Sequence, residues 1–173
     1  MVKLRSFKCY RIVKRAYTRR SKYKKKNYIA TFPNHNITKF IMGDLSKKFN
    51  CQVRLVSKED KQIRYNAIES ARLIGNRKLA ERLGNNFRFI INMFPHQAVR
   101  ENKMLGGAHA DRIQSGMAHS FGKVTTAAAQ VWNGKTLFTA HVDKENIETT
   151  RQCLNSMRHK LPTKCIIEVI ENK

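Results

Sequence analysis

Between Arg100 and Lys123 the sequence RENKMLGGAHADRIQSGMAHSFGK brings cations, imidazoles and acids into one stretch. His109 and His119 lie within it, His96 just before it, and Asp111 follows His109 by two positions. A histidine oriented by a carboxylate can serve as a general base. Support for that chemistry is thin. Two-metal phosphoryl transfer needs several clustered carboxylates, and between Pro95 and Lys123 only Glu101 and Asp111 are present. Neither G-x-x-x-x-G-K-[ST] nor a G-x-G-x-x-G after a strand occurs, so no catalytic residue is assigned. The second chemistry is electrostatic. Arg100, Lys103 and Arg112 offer cationic donors at intervals along a backbone that holds Gly106, Gly107, Gly116 and Gly122, four of the eight glycines. Glycine lets a backbone approach a partner closely, and guanidinium and ammonium groups suit phosphate. On this reading Asp111 pairs with Arg112 or another cation to shape the loop, and His109 and His119 offer hydrogen bonds. Met104, Leu105 and Met117 either anchor the loop base or pack on nucleotide faces.

The apolar residues of this stretch follow neither the strand nor the helix period, which predicts a long irregular loop from Arg100 to Lys123. Loops of that length inside a compact domain are usually functional or disordered. On either side lie the elements that must hold it. Phe87 to Phe94 is a dense apolar run with the length of a buried strand, closed by Pro95. Val124 to Val131 and Thr136 to Val142 flank Trp132-Asn133-Gly134-Lys135, and Asn-Gly between β-prone runs predicts a tight hairpin. Upstream, Ile37 to Met42 and Cys51 to Val56 read as strands. Ser57-Lys58-Glu59-Asp60 resembles a helix start, with a helix running to about Leu83 and ended by Gly84. Ile68, Ala71, Gly75, Leu79 and Leu83 share one face of it, with Ile74 beside them, predicted to pack on a sheet. Arg64, Arg72, Arg77, Lys78 and Arg82 lie elsewhere on its surface. Asp143 opens a second helix with Glu145 and Glu148 early and Arg158, His159 and Lys160 late, charges that complement the helix dipole. Its buried stripe is Ile147, Thr150, Leu154, Met157 and Leu161; Pro162 stops it, and Cys165 to Ile170 reads as a last buried strand. The order predicts an α+β domain with two helices on a largely antiparallel sheet.

The chain has 173 residues, with 35 Lys and Arg against 12 Asp and Glu, for a net charge of +23. That excess is the footprint of a polyanion binder, with nucleic acid the leading partner. Residues 1–43 contain no acid. Lys3, Arg5, Lys8, Arg11, Lys14, Arg15, Arg19, Arg20, Lys22, Lys24, Lys25, Lys26 and Lys39 are interleaved there with Phe7, Tyr10, Tyr17, Tyr23 and Tyr28. Rings between cations either stack on unpaired bases or tuck the arm against its own domain. The expected organisation is a basic RNA-binding arm over 1–35 and one α+β domain over 36–173. No apolar run reaches the roughly 20 residues of a spanning helix, so no membrane partner is expected. Cys9, Cys51, Cys153 and Cys165 lack C-x-x-C pairing and histidines at ligand spacing, which predicts free thiols and neither metal nor cofactor. Free thiols and an N-terminus without an apolar signal core fit a reducing cytosolic compartment.

The run from Phe89 through Val131, above all ENKMLGGAHADRIQSGM followed by FGK, resembles the universal large-subunit ribosomal protein of the L-sixteen family, in its archaeal and eukaryotic L-ten-e form. Cys9-Tyr10-Arg11 and Ala67-Ile68-Glu69-Ser70-Ala71-Arg72 extend the likeness over most of the chain. His109 stands where the family usually has glycine, and Ala118-His119-Ser120 where it has an arginine-glycine pair before Phe121-Gly122. The resemblance implies an α/β-hammerhead fold with a projecting loop and a structural role in the cytoplasmic large ribosomal subunit. It further implies contacts with large-subunit ribosomal RNA, with tRNA near the aminoacyl-tRNA site and peptidyl-transferase region, and with neighbouring ribosomal proteins, without homo-oligomerisation. Ribosomal-RNA contacts are expected from Lys3, Arg5, Lys8, Tyr10, Arg11, Lys14, Arg15, Arg19, Arg20, Lys22, Lys24, Lys25, Lys26 and Lys123. The tRNA-proximal set is Arg100, Asn102, Lys103, Met104, Leu105, Gly106, Gly107, Ala108, His109, Ala110, Asp111, Arg112, Gln114, Gly116 and Met117; Phe121 and Gly122 also match the family motif. An RNA-acting enzyme, or a basic RNA-binding protein outside the ribosome, is the alternative.

Overall fold

The computed structural model describes residues 6–13, 29, 32–102 and 122–171. In chain order these form β1 (Ile41–Gly43), β2 (Cys51–Ser57), β3 (Lys61–Arg64), α1 (Tyr65–Leu83), β4 (Arg88–Ile91) and β5 (Gln97–Glu101). Then come β6 (Lys123–Val131), β7 (Thr136–Val142), α2 (Ile147–Arg158) and β8 (Cys165–Glu171). The α+β class holds, but the strands divide between two sheets, one ordered β1-β4-β7-β2-β8 and the other β3-β6-β5. All the pairings are antiparallel.

The main core lies between one face of the larger sheet and the two helices. Val53, Leu55, Phe89, Ile91, Phe138, Ala140 and Val142 meet Ile68, Ala71, Leu79, Leu154 and Met157 there. The Phe89 and Phe138 rings stack with centroids 5.6 Å apart. Cys51, Cys153 and Cys165 are buried free thiols, and burial pushes Cys165 up to about 11 and Cys153 in the same direction because a thiolate is poorly solvated there. The stripe expected on α1 is buried at Ile68, Ala71, Gly75 and Leu79, with Leu83 only partly covered. Its main neighbour is α2 rather than a sheet. A Cβ on Gly75 would lie 2.5 Å from Met157 Sδ, so the missing side chain sets how closely the helices approach. Lys78 Nζ donates to Ser156 Oγ at 2.6 Å and Arg82 Nη1 to Gln152 Oε1 at 2.8 Å across the same seam. Gly84 ends α1 with φ +61° and donates its N–H to Ala80 O, as expected of a C-terminal glycine.

Four expectations about elements are corrected. Ser57 does not cap a helix. It ends β2, is 1 % exposed, and its hydroxyl donates to Glu59 O and faces Thr163 Oγ1 at 3.0 Å. Lys61–Arg64 is a strand because it pairs with Val131–Ala128, a long-range partner that overrides the local cap signal, and α1 starts only at Tyr65. Second, the Asn133-Gly134 turn forms, with Gly134 at φ +79° and Lys135 N–H donating to Trp132 O, but β6 and β7 enter different sheets instead of pairing. Third, Gln97–Glu101 after Pro95 is a strand bonded to β6. Fourth, β8 pairs only with β2 at the rim of its sheet, leaving Ile166 and Val169 exposed rather than buried. β1 is also shorter than expected, because Ile41–Gly43 alone pairs with β4.

The helix seam yields a test. Met157 is fully buried, so Gly75→Leu must displace it at an overpacking cost of about 1 to 3 kcal/mol, against a helix-propensity gain of up to about 1 kcal/mol. Net destabilisation is expected in urea unfolding. An unchanged or higher midpoint would show that the seam has room to spare.

Candidate nucleic-acid interface

The two ends of the glycine-rich loop are fastened to adjacent strands of the smaller sheet. β5 and β6 pair antiparallel with Glu101 opposite Lys123 and Arg100 opposite Val124, after a register shift between Val99 and Arg100. Thr125 Oγ1 donates to Val99 O at 3.3 Å. Arg100 and Lys123, expected inside the loop, therefore sit on strands, and the segment between those strands is 102–122. Arg100 Nη1 reaches across to donate to Gly122 O at 3.1 Å. Gly122 has φ +93°, and a Cβ there would fall 2.8 Å from Glu101 O and 2.9 Å from Asn102 N. Glycine is thus required twice, once by the dihedral and once by the facing backbone. Residues 103–121 lie outside the described residues, and with them Lys103, Met104, Leu105, Gly106, Gly107, Ala108, His109, Ala110, Asp111, Arg112, Gln114, Gly116, Met117 and Phe121.

The described part of the arm is bonded to β3 at the edge of the same sheet, and its Phe7 and Tyr10 line a small pocket with Arg64, Val99, Glu101, Thr125 and Thr126. Phe7–Tyr10 forms a 3-10 turn. Gln62 fastens the end of that turn to β3: its backbone N–H donates to Arg11 O at 2.7 Å and its Nε2 to Tyr10 O at 3.1 Å. The Arg64 guanidinium sits 5.1 Å from the Phe7 ring centroid, and Phe7 and Tyr10 lie 5.5 Å apart. Phe7 and Tyr10 thus pack on their own domain, while Lys8 and Arg11 remain exposed. Ile29, farther along, is 2 % exposed. Lys3, Arg5, Lys14, Arg15, Arg19, Arg20, Lys22, Lys24, Lys25 and Lys26 lie outside the described residues. Sequence reasoning misses Gln62 and Arg64 as arm anchors because their short alternating run, Lys61-Gln62-Ile63-Arg64, reads as part of the helix.

Four cations of α1 are occupied. Arg72 binds Glu69 through Nε and Nη2, a pairing that raises its already high pKa, and Arg77 pairs with Glu81 at 3.3 Å. With Lys78 and Arg82 committed to α2, these α1 cations read as structural. Among the described residues no group of His, Cys, Asp or Glu is placed to hold a metal ion, and no helix is long and apolar enough to cross a membrane.

A two-sheet α+β domain of strongly basic charge, with an arm bonded to β3 and a glycine-rich segment whose ends are clamped on β5 and β6, has the features expected of the class of polyanion-binding proteins. The particular family follows from comparison: residues 18–168 match the family described as ribosomal protein L16p/L10e. The chain is 41 % identical over 172 residues to the large ribosomal subunit protein uL16 of Methanococcus maripaludis strain S2, covering 98 % of this chain and 96 % of that one. It is 39 % identical over 170 residues to the uL16 protein of Sulfolobus acidocaldarius, covering 96 % and 93 %, and 40 % identical over 149 residues to that of Methanocella arvoryzae, covering 86 % and 83 %. The chain belongs to the L16p/L10e ribosomal protein family.

Because Gly122 faces backbone, Gly122→Ala should strain the loop base by about 1 to 3 kcal/mol. Hydrogen exchange should quicken at the amides of 99–101 and 123–125 while β2 and β7 stay protected. Equal protection in both proteins would show that the clamp tolerates a side chain.

Proposed function

We propose that this protein is a structural, non-catalytic constituent of the cytoplasmic large ribosomal subunit. Its arm, 1–35, and the cationic surface of its domain, 36–173, bind large-subunit ribosomal RNA beside neighbouring ribosomal proteins. The loop, 100–123, extends toward tRNA near the aminoacyl-tRNA site and peptidyl-transferase region. The observation that carries this reading is the family match over residues 18–168, joined by relatives whose names place them in the large subunit. Membership of a ribosomal structural family also disfavours the enzyme reading.

Physical features support the finer assignment. A net charge of +23 repels itself in a compact chain and is relieved when phosphates replace mobile counterions. The arm docks by its backbone and its Phe7 ring, which leaves Lys8 and Arg11 turned outward. The segment between β5 and β6 starts and ends on paired strands, so both of its ends are held on a fixed base.

Two measurements test this. Each phosphate neutralised contributes about −0.7 to −0.9 to the slope of log affinity against log salt, so deleting residues 1–30 should flatten the slope for large-subunit ribosomal RNA by several units. An unchanged slope would move the main contacts to the folded domain. Separately, replacing residues 102–114 with a short glycine-serine linker should leave the protein folded and incorporated into subunits but weaken tRNA binding, with milder losses for Lys103→Ala and Arg112→Ala. Normal tRNA affinity and elongation would refute the loop's role, and loss of folding would place Met104 or Leu105 in the core.

A further inference from the structure

The larger sheet buries one face on the helices; its other face holds a cationic cluster that neither the arm nor the loop includes. Antiparallel register sets Arg88 of β4 opposite His141 of β7, and His141 opposite Gln52 of β2. Arg54 lies two residues on from Gln52 along β2, on the same face, opposite Thr139. Cross-strand neighbours of this kind stand about 4.5 to 5.5 Å apart and diagonal ones about 7 to 8 Å, so two guanidiniums flank one imidazole.

Their partners do not balance that charge. Arg54 Nη2 donates to Gln52 Oε1 at 2.8 Å, a neutral acceptor. Arg88 makes no ion pair or hydrogen bond among the described residues, and its Nε is buried without an acceptor. The acid nearest by register is Glu168 of β8, opposite Arg54, and the two form no ion pair among the described residues. Burial first, then Arg88 and Arg54, hold the His141 imidazolium below its ordinary range, so the ring is kept neutral. A half-buried pair of guanidiniums around an imidazole, with the Arg88 Nε donor unpartnered among the described residues, has the donors to suit an anion. Guanidinium forks match phosphate oxygens in a two-pronged geometry that Lys cannot supply, and strands hold them in place beforehand.

We propose that Arg54, Arg88 and His141 form a phosphodiester-binding subsite through which the face of the larger sheet turned away from the helices grips the RNA backbone. The inference rests on the reading of this protein as a ribosomal-RNA binder and adds to it residues of β4, β7 and β2. Phosphate oxygens accept from both guanidiniums, and the added negative charge draws a proton onto His141, which then becomes a third donor. The groups bearing on that proton are Arg88 from β4, Arg54 and Gln52 from β2, and Glu168 beyond them on β8.

The test uses the full chain and transcribed large-subunit ribosomal RNA. Arg54→Gln with Arg88→Gln should lower the salt slope by about 0.7 to 0.9 for each phosphate no longer neutralised, with an unchanged thermal melt. In the natural chain, the His141 ring followed by NMR should titrate at higher pH when a short RNA hairpin is added. Should the double variant fail to fold, the His141 titration decides alone. Steep, salt-dependent binding by the natural chain together with an unmoved slope in the variant, or an unmoved His141, would overturn this subsite and leave the ribosomal-RNA reading standing. Loss of salt-dependent binding by the natural chain would overturn both. A response of His141 to inorganic phosphate but not to the hairpin would overturn the RNA assignment.

Discussion

Where β2 gives way to β3 and β6 to β7, the chain crosses twice between the two sheets, and the two crossings are bonded to each other. Ser57 N–H donates to Lys135 O at 3.0 Å and Gly134 N–H to Ser57 O at 2.9 Å, while Asn133 N–H donates to the Asp60 carboxylate at 2.6 Å. Sheets that meet at an angle need corners where strands change sheet, and a corner exposes backbone groups unless another chain segment satisfies them. Here each crossing satisfies the other. Ser57 adds a buried link to Thr163, just before β8. This corner orients the smaller sheet on the larger one, and through it both the loop base and the arm's docking edge.

The division of labour between the sheets follows from that corner. The larger sheet carries the stacked Phe89 and Phe138 and most of the apolar packing against α1 and α2. The smaller sheet is a mount: β5 and β6 hold the two ends of the loop, and β3 receives the arm through Gln62 and Arg64. Both cationic appendages are thus held on the three strands of the smaller sheet, whose position is fixed by the larger body. Several acids pair within the domain, Glu69 with nearby Arg72 and Asp143 with distant Lys47 at 2.8 Å, and the excess of cations remains for an external partner. Exposed pairs like the second contribute little to stability in water; their effect is on which cations remain available.

Much of this was legible in the residues, because it depends on neighbours in sequence. The α1 stripe Ile68, Ala71, Gly75 and Leu79, the stop at Gly84, the strand Thr136–Val142 and the buried Thr150, Leu154 and Met157 of α2 follow from local periodicity, and the structure has them, although α2 begins at Ile147 after a 3-10 turn and ends before Leu161. The family motif and the lack of acids before Asp44 were equally plain, and they carried the functional reading. The Asn133-Gly134 signal specified a turn correctly, since φ at Gly134 is a local matter.

Pairing was not local, and there the tertiary structure decided. Whether Lys61–Arg64 begins a helix or joins a sheet turns on β6, some seventy residues away; β7 likewise pairs with β2 and β4, distant in sequence, and not with its neighbour β6. Gln97–Glu101 had too little pattern to announce itself and exists as a strand through its bonds to β6. The same holds for charge. By composition Lys78 and Arg82 look as available as Arg54 and Arg88, yet α2 occupies the first two. Arg88 is left without a described partner, and Arg54 with only a neutral one. Sequence sets how many cations there are and the period on which they recur; only the packing of distant segments determines which of them are already neutralised.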